Sequence, residues 1–337
     1  MPHLSTRVLQ GLLTLLLTLF GLLLVTFALS AFSPVDRVLQ IVGDHASQST
    51  YDQVRHQLGL DRPLPVQFWH YLQSLAHGDL GTASATGQPV LQDLLHAFPA
   101  TLELATLALI IGTILGVIAG VLCARYAGSP LDLAIRTLTL LGNSVPIFWL
   151  GLLMLALFYA KLQWSAGPGR LDDIWQFTVE PRTGFALIDT WLSGDREAFR
   201  NAISHLVLPV VLLAYYSLAS ITRLTRSACL SEMNKEYILL ARAKGAGEMT
   251  ILLRHVLPNI RSTLLTVIAL AYTSMLEGAV LTETVFSWPG IGRYLTTALF
   301  AGDTTAVMGG TLLIGVCFVL INNLTDLLVR ATDPRVR

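Results

Sequence analysis

Thr266, Thr273, Glu277 and Thr284 follow one another at intervals of 7, 4 and 7 residues through a mostly apolar stretch. At 100° per residue they fall within about 20° of one line down a helix. Hydroxyls leading to an acid can hydrate a polar solute or attract a cation, and such a stripe is costly against lipid. It belongs in a bundle interior or a wet cavity. Asn143-Ser144-Val145-Pro146 interrupts a second apolar stretch, where the proline frees a backbone carbonyl and kinks the helix. Either feature alone also fits hydrogen bonding between helices. Together they mark Asn143, Ser144, Pro146, Thr266, Thr273 and Glu277 as a translocation path.

No covalent chemistry accompanies that path. The chain has no G-x-x-x-x-G-K-[ST], no H-E-x-x-H and no G-x-S-x-G. Its eight histidines are scattered without ligand spacing, so no metal site is expected. Cys123, Cys229 and Cys317 lie in or beside apolar runs and read as small apolar fillers. The chain is expected not to be an enzyme, so active transport would draw its energy from another chain or an ion gradient.

The elements that must carry these residues are membrane helices. Only 13% of the 337 residues are charged and mean hydropathy is +0.61. Apolar runs at about 8–32, 100–124, 133–160, 203–224, 260–282 and 305–329 have the length a bilayer requires. The expected fold is an all-α integral membrane protein with six transmembrane helices. The first run exceeds a signal-peptide core and only Arg7 gives it a basic flank, so it reads as a retained helix.

With the N-terminus inside, 13 of the 22 Lys and Arg residues fall in short inner segments, seven of them between Arg223 and Arg261. That asymmetry places both termini in the cytoplasm. The domains expected are an N-terminal helix (1–32), an outer loop region (33–99), a five-helix core (100–329) and a cytoplasmic tail (330–337). The core contains an outer loop, 161–202, and a charged cytoplasmic loop, 225–258. Short amphipathic helices, broken at Pro63 and Pro65, are expected in the first outer region. Gly112, Gly116 and Gly120 form a small-residue ridge for close helix packing.

Within the charged loop, EYILLARAK has helix-forming composition and Gly245-Ala246-Gly247 breaks it. EMTILLRHVL then resumes and ends at Pro258. A short helix across the cytoplasmic mouth suits either an interfacial amphipathic role or a docking role, with Ala241 and Ala243 small enough for close approach by a partner.

This loop resembles the EAA loop of ABC-importer permeases, E-A-A-x-x-x-G-x9-I-x-L-P. Ala241, Gly245, Leu257 and Pro258 agree; Leu239 and Leu240 replace Glu-Ala, and His255 replaces Ile. LGLDRPLPVQFWHYL, HGDLGTA, FPATLEL, SVPIFWLGLL, TGFALID and LTETVFSWPGIGRYL are similar, in order, to the dipeptide/oligopeptide/nickel branch of that family. GQPV and TGFALIDTWLSGD are similar to its Sap-type relatives. The branch's Pro-Gly-Asp-Pro after the first span is reduced to Ser33-Pro34-Val35-Asp36.

The resemblance implies the type I ABC importer permease fold in a bacterial inner membrane. It implies a heterodimer with a second permease, two cytoplasmic ATPases that bind the ATP and magnesium, and a periplasmic or lipid-anchored substrate-binding protein. This chain would hold no cofactor itself. Glu236, Ala241, Arg242, Ala243, Lys244, Gly245, Ala246 and Gly247 would belong to the coupling helix and turn that meet an ATPase. Trp288, Pro289, Gly290 and Arg293 would lie on an outer turn touching the binding protein. The cargo would be di- or oligopeptides or related small cationic compounds. A secondary transporter and a Sap-type polyamine exporter are the alternatives.

Overall fold

The computed structural model describes residues 2–33, 35–43 and 45–332, with side chains at all of these except 2–12, 14, 143, 277, 326 and 330–332. Pro34 and the tail from 333 lie outside it. Helices dominate, and no strand longer than an isolated bridge occurs among the described residues.

Helices α1 (Pro2–Ala31), α2 (Arg37–Val42), α3 (Gln48–Gln57) and α4 (Leu64–Ala76) precede the long α5 (Val90–Arg125). Then come α6 (Pro130–Ser144), α7 (Ile147–Met154) with a π-helical extension over Leu155–Lys161, α8 (Asp173–Thr178) and α9 (Ala186–Leu192). The 38-residue α10 (Arg196–Met233) leads to α11 (Glu236–Ala243) and α12 (Glu248–Ile251), a π-helical turn at Leu252–Val256, and α13 (Leu257–Asn259). The chain closes with α14 (Arg261–Val285), α15 (Ile291–Phe300) and α16 (Thr304–Thr332).

α5, α10 and α16 are each long and apolar enough to cross a membrane, and two bent pairs could each form one further span. A shorter apolar stretch, Leu15–Ala31, lies in α1. Three expectations need correction. The span read as 133–160 is not one kinked helix: α6 and α7 meet at a 98° bend. Val145 is extended (φ −96°, ψ 130°), as a residue before proline prefers, and Pro146 stands before α7 as its N-cap. The loop read as 225–258 begins later, because α10 continues to Met233. Pro65 does not break a helix; it sits in the first turn of α4, where its missing N–H costs nothing.

The chain divides into two compact units, Met1–Phe98 with Arg293–Leu320, and Pro99–Gly292 with Ile321–Arg337. In the first, Asp303 accepts the Ser84 and Ala85 amides, and Arg37 donates to Thr304 Oγ1 and Met308 Sδ. Tyr51 donates to Asp36 Oδ2 at 2.7 Å, which holds that carboxyl below the usual carboxylate range. The stretch between α1 and α5 thus carries short helices, as expected.

The second unit is organised around α10, which packs on α6, α7, α9 and α14. The glycine ridge of α5 also meets it. A Cβ on Gly112 would strike Ser217 and the Ala214 carbonyl; one on Gly116 would lie 2.9 Å from Ile221, and one on Gly120 2.6 Å from Thr225 Cβ. The contacts step four residues at a time along both helices. Gly278 of α14 has nothing within 4 Å of an added Cβ. Gly116→Val should therefore destabilise by about 1–3 kcal/mol or more through overpacking, while Gly278→Ala should leave stability at or slightly above the parent. Thermal unfolding of the purified assembly checks both; equal midpoints for the two variants would contradict the ridge.

Candidate functional site: a docking segment and an outer turn

The charged island folds as expected around one buried anchor. Glu236 stands in the first turn of α11 and Arg242 in the last, both favourable to the helix dipole. Ile238 is wholly enclosed. It packs with Val121 and Ala124 of α5, Cys229 of α10, and Ile251, Leu252 and Val256 beyond the turn. The helix ends in a Schellman motif: the Ala246 amide donates to Ala241 O at 3.1 Å and the Gly245 amide to Arg242 O at 2.9 Å. Gly245 occupies the left-handed position this motif requires, at φ +83°.

Arg242 forks onto Glu248 with bonds of 2.8 and 3.1 Å, closing the turn from outside. The pair is substantially solvated and worth under about 1 kcal/mol. At the other end, Glu232 accepts from Tyr237 Oη and Lys235 Nζ, both at 2.6 Å, which ties α10 to α11. The face left open carries Leu239 (57% exposed) and Leu240 (56%), with Ala243 and Lys244 beside them. Adjacent exposed leucines on a rigidly held helix make a contact surface. Ala241 is half-buried and packs inward, so of the two alanines only Ala243 lies open to a partner.

The proposed path residues are not drawn into one buried face. Thr266 and Thr284 are exposed and Thr273 is buried. All three hydroxyls donate to carbonyls one turn back, on Ser262, Val280 and Ala269. Ser144 does the same to Leu140, and Ser144 and Pro146 are both accessible. The side chains of Asn143 and Glu277 lie outside the described residues.

The outer turn differs more from expectation. Trp288 is 0% exposed; its indole donates to Ala100 O at 2.9 Å among Leu104, Leu206 and Leu213. A wholly enclosed side chain cannot be a contact surface, and Gly290 is buried too. Only Pro289 and Arg293 of that set are exposed. What organises the turn is Glu283, also at 0% exposure. It accepts from Thr101 Oγ1 and from the Gly292 amide, each at 2.6 Å, and its backbone carbonyl accepts the Trp288 amide at 2.8 Å. A Cβ on Gly290 would fall on the Glu283 carboxylate, and one on Gly292 on Val280 Cα.

Nearby, Glu103 accepts from Arg170 and from the Ala186 and Leu187 amides, pinning the loop before and at α9. Arg170 also lies over the Trp288 ring, 5.7 Å from its centroid. Sequence reasoning missed Glu103 and Glu283. The usable signal was an acid within a mostly apolar run, where an ionised group must find partners.

Residues 112–337 match the family model of the binding-protein-dependent transport system inner membrane component, and residues 4–105 match the N-terminal region of such components. The chain belongs to this permease family. It is 44% identical over 322 residues to a probable D,D-dipeptide transport system permease of Escherichia coli, covering 96% of this chain and 94% of that one. A di/tripeptide transport system permease of Pseudomonas aeruginosa is 41% identical over 95% of each chain. The permease fold is also that of the MetNI methionine ABC transporter in inward-facing conformations, at a TM-score of 0.54 and 18% identity, covering 72% of this chain and 97% of that one.

This permease is thus a multi-pass inner-membrane component of an ABC transporter, which works with ATPases and a substrate-binding protein. Family membership favours that reading over an ion-coupled secondary transporter.

The Glu283 contacts are specific enough to test. Glu283→Gln replaces one acceptor oxygen with a donor facing either the Gly292 amide or the Thr101 hydroxyl, and should cost about 1–3 kcal/mol. Glu283→Ala should cost more. Melting midpoints ordered wild type, Gln, Ala are expected; three equal midpoints would mean that Glu283 does not organise the outer turn.

Proposed function

We propose that this permease pairs with a second, homologous permease to form a path for di- or oligopeptides across the inner membrane. Partner ATPases would drive it through the docking segment, residues 236–247. The observation that carries the reading is the division of α11 into two faces. Ile238 is locked into a core shared with the ends of α5 and α10, while Leu239 and Leu240 point outward. A partner that moves this helix must move the long helices with it. The peptide cargo is inferred from the relatives' names, a probable D,D-dipeptide transport system permease and a di/tripeptide transport system permease.

In this reading both termini and residues 225–258 are cytoplasmic, and residues 33–99 and 161–202 face the periplasm, where a substrate-binding protein delivers cargo. Pro289 and Arg293 are offered to that protein, with Trp288 and Gly290 shaping the turn from within. Thr266 and the Asn143–Pro146 break would line the path between the two permeases, together with Thr273 and Glu277. ATP and magnesium are bound by the ATPases, and this chain binds no cofactor and hydrolyses nothing.

Gly245 gives the test. Nothing lies within 4 Å of a Cβ added there, so a substitution acts through backbone conformation alone. A left-handed conformation costs a side-chain-bearing residue about 1–2 kcal/mol. Gly245→Val should therefore lower uptake roughly tenfold in proteoliposomes while the complex still assembles and hydrolyses ATP. Asn tolerates the left-handed region, so Gly245→Asn should lose less. Gly247 has φ −69° and equally open surroundings, so Gly247→Ala should transport normally. Normal uptake by Gly245→Val would contradict the coupling role.

A further inference from the structure

A cleft of about 470 Å³ opens between α6 and α10, lined by none of the docking-segment or outer-turn residues. Arg136, Arg223 and Arg226 line it, with Leu133 and Leu140 along one wall and Thr222 at its inner side. Arg226 is already committed: it forks onto Asp132 with two bonds of 2.8 Å, and Asp132 also accepts the Gly128 amide. That buried pair fixes the start of α6 against α10 and leaves the other two guanidiniums in excess. Neither Arg136 nor Arg223 has a carboxylate within ion-pairing distance among the described residues. The Thr222 hydroxyl, 1% exposed, has no hydrogen-bond partner among the described residues although it belongs to the cleft lining. Two unpaired guanidiniums, a buried hydroxyl and a leucine wall make a lining for an anionic oxygen group attached to an apolar chain.

Depth along the helices identifies the source. α10 is about 57 Å long at 1.5 Å per residue, against a hydrocarbon core of about 30 Å. Shared between the ends, the excess leaves about 13 Å projecting on each side. Arg226 and Arg223 lie about 10 and 15 Å from the Met233 end, and Arg136 about 9 Å from the start of α6. Arg226 falls at headgroup level and Arg223 about 2 Å inside the hydrocarbon boundary, within reach of the headgroups for a long side chain, and the Asp132–Arg226 pair brings the start of α6 to the same level.

We propose that this cleft binds the phosphate headgroup of an anionic phospholipid in the leaflet next to the docking segment. The Arg136 and Arg223 guanidiniums hold the phosphate, the Thr222 hydroxyl donates to it, and the acyl chain lies along Leu133 and Leu140. The assignment of that leaflet as the cytoplasmic one rests on the orientation proposed above; the cleft and its ligand class do not.

The test uses the intact transporter, with its partner subunits, in nanodiscs of equimolar phosphatidylglycerol and phosphatidylcholine. Lipid retained after transfer to detergent is read by native mass spectrometry, which needs no transport activity, so failure of the lipid site is distinguishable from failure of the transport reading. Wild type should retain phosphatidylglycerol in preference. Arg136→Gln with Arg223→Gln should lower that retention about tenfold at unchanged complex mass, as expected for lost charge-assisted bonds. Thr222→Val should lower it less, and the Arg136→Lys/Arg223→Lys pair should keep most of it if the glutamine pair fails to assemble. Undiminished retention in the glutamine and valine variants, or equal retention of the two lipids by wild type, would overturn the proposal. In nanodiscs of phosphatidylcholine alone, inorganic phosphate should not protect Arg136 and Arg223 from phenylglyoxal. Protection at millimolar phosphate would assign the cleft to a free anion and overturn the lipid.

Discussion

The close approach of α5 and α10 is the contact on which the rest of this permease depends. In lipid no hydrophobic force drives helices together, so association rests on van der Waals packing and on backbones brought near enough to achieve it. Gly112, Gly116 and Gly120 allow that approach, and Ser217, Ile221 and Thr225 occupy the space a Cβ would take. One end of this pair, through Val121, Ala124 and Cys229, forms the bed of the docking helix. The other, through Ala100, Leu104, Leu206 and Val210, encloses Trp288 of the outer turn. A single packed pair therefore joins α11 with the turn that carries Trp288.

Buried charge reinforces each end. Asp132 with Arg226 sits close to the docking segment, and Glu103 with Arg170 close to the outer turn. Away from water such ions persist only when paired and hydrogen-bonded, and removing one partner is costly because the other is left stranded. Glu283 meets the same demand differently, through a hydroxyl and a backbone amide. These sites fix where loops meet helices. The docking helix itself is held mainly by Ile238 and by local turn geometry, with its outer leucines left uncovered.

Much of this was legible in the sequence, for physical reasons. Apolar runs of bilayer length have few alternatives, so the helices Arg261–Val285 and Thr304–Thr332 fell close to the runs read at 260–282 and 305–329. The glycine spacing announced the α5 ridge, and Gly245 announced the turn. The residues that organise the outer turn were harder to find. Thr101 and Glu283 are 182 residues apart and mean nothing until the chain folds. Trp288, expected on a contact turn, is core instead, where α5 offers Ala100 O to its indole. The threonine stripe does not by itself fix burial, because helical threonines satisfy themselves on the preceding turn.

α11 is gripped from within by Ile238 and presented outward by Leu239 and Leu240. A photo-cross-linking residue placed singly at each of these three positions in the intact transporter tests it most directly. At 239 and 240 the account predicts adducts to an ATPase subunit that disappear when the ATPase is removed. At 238 it predicts adducts only within this permease. Adducts to the ATPase from 238, or none from 239 and 240, would contradict it.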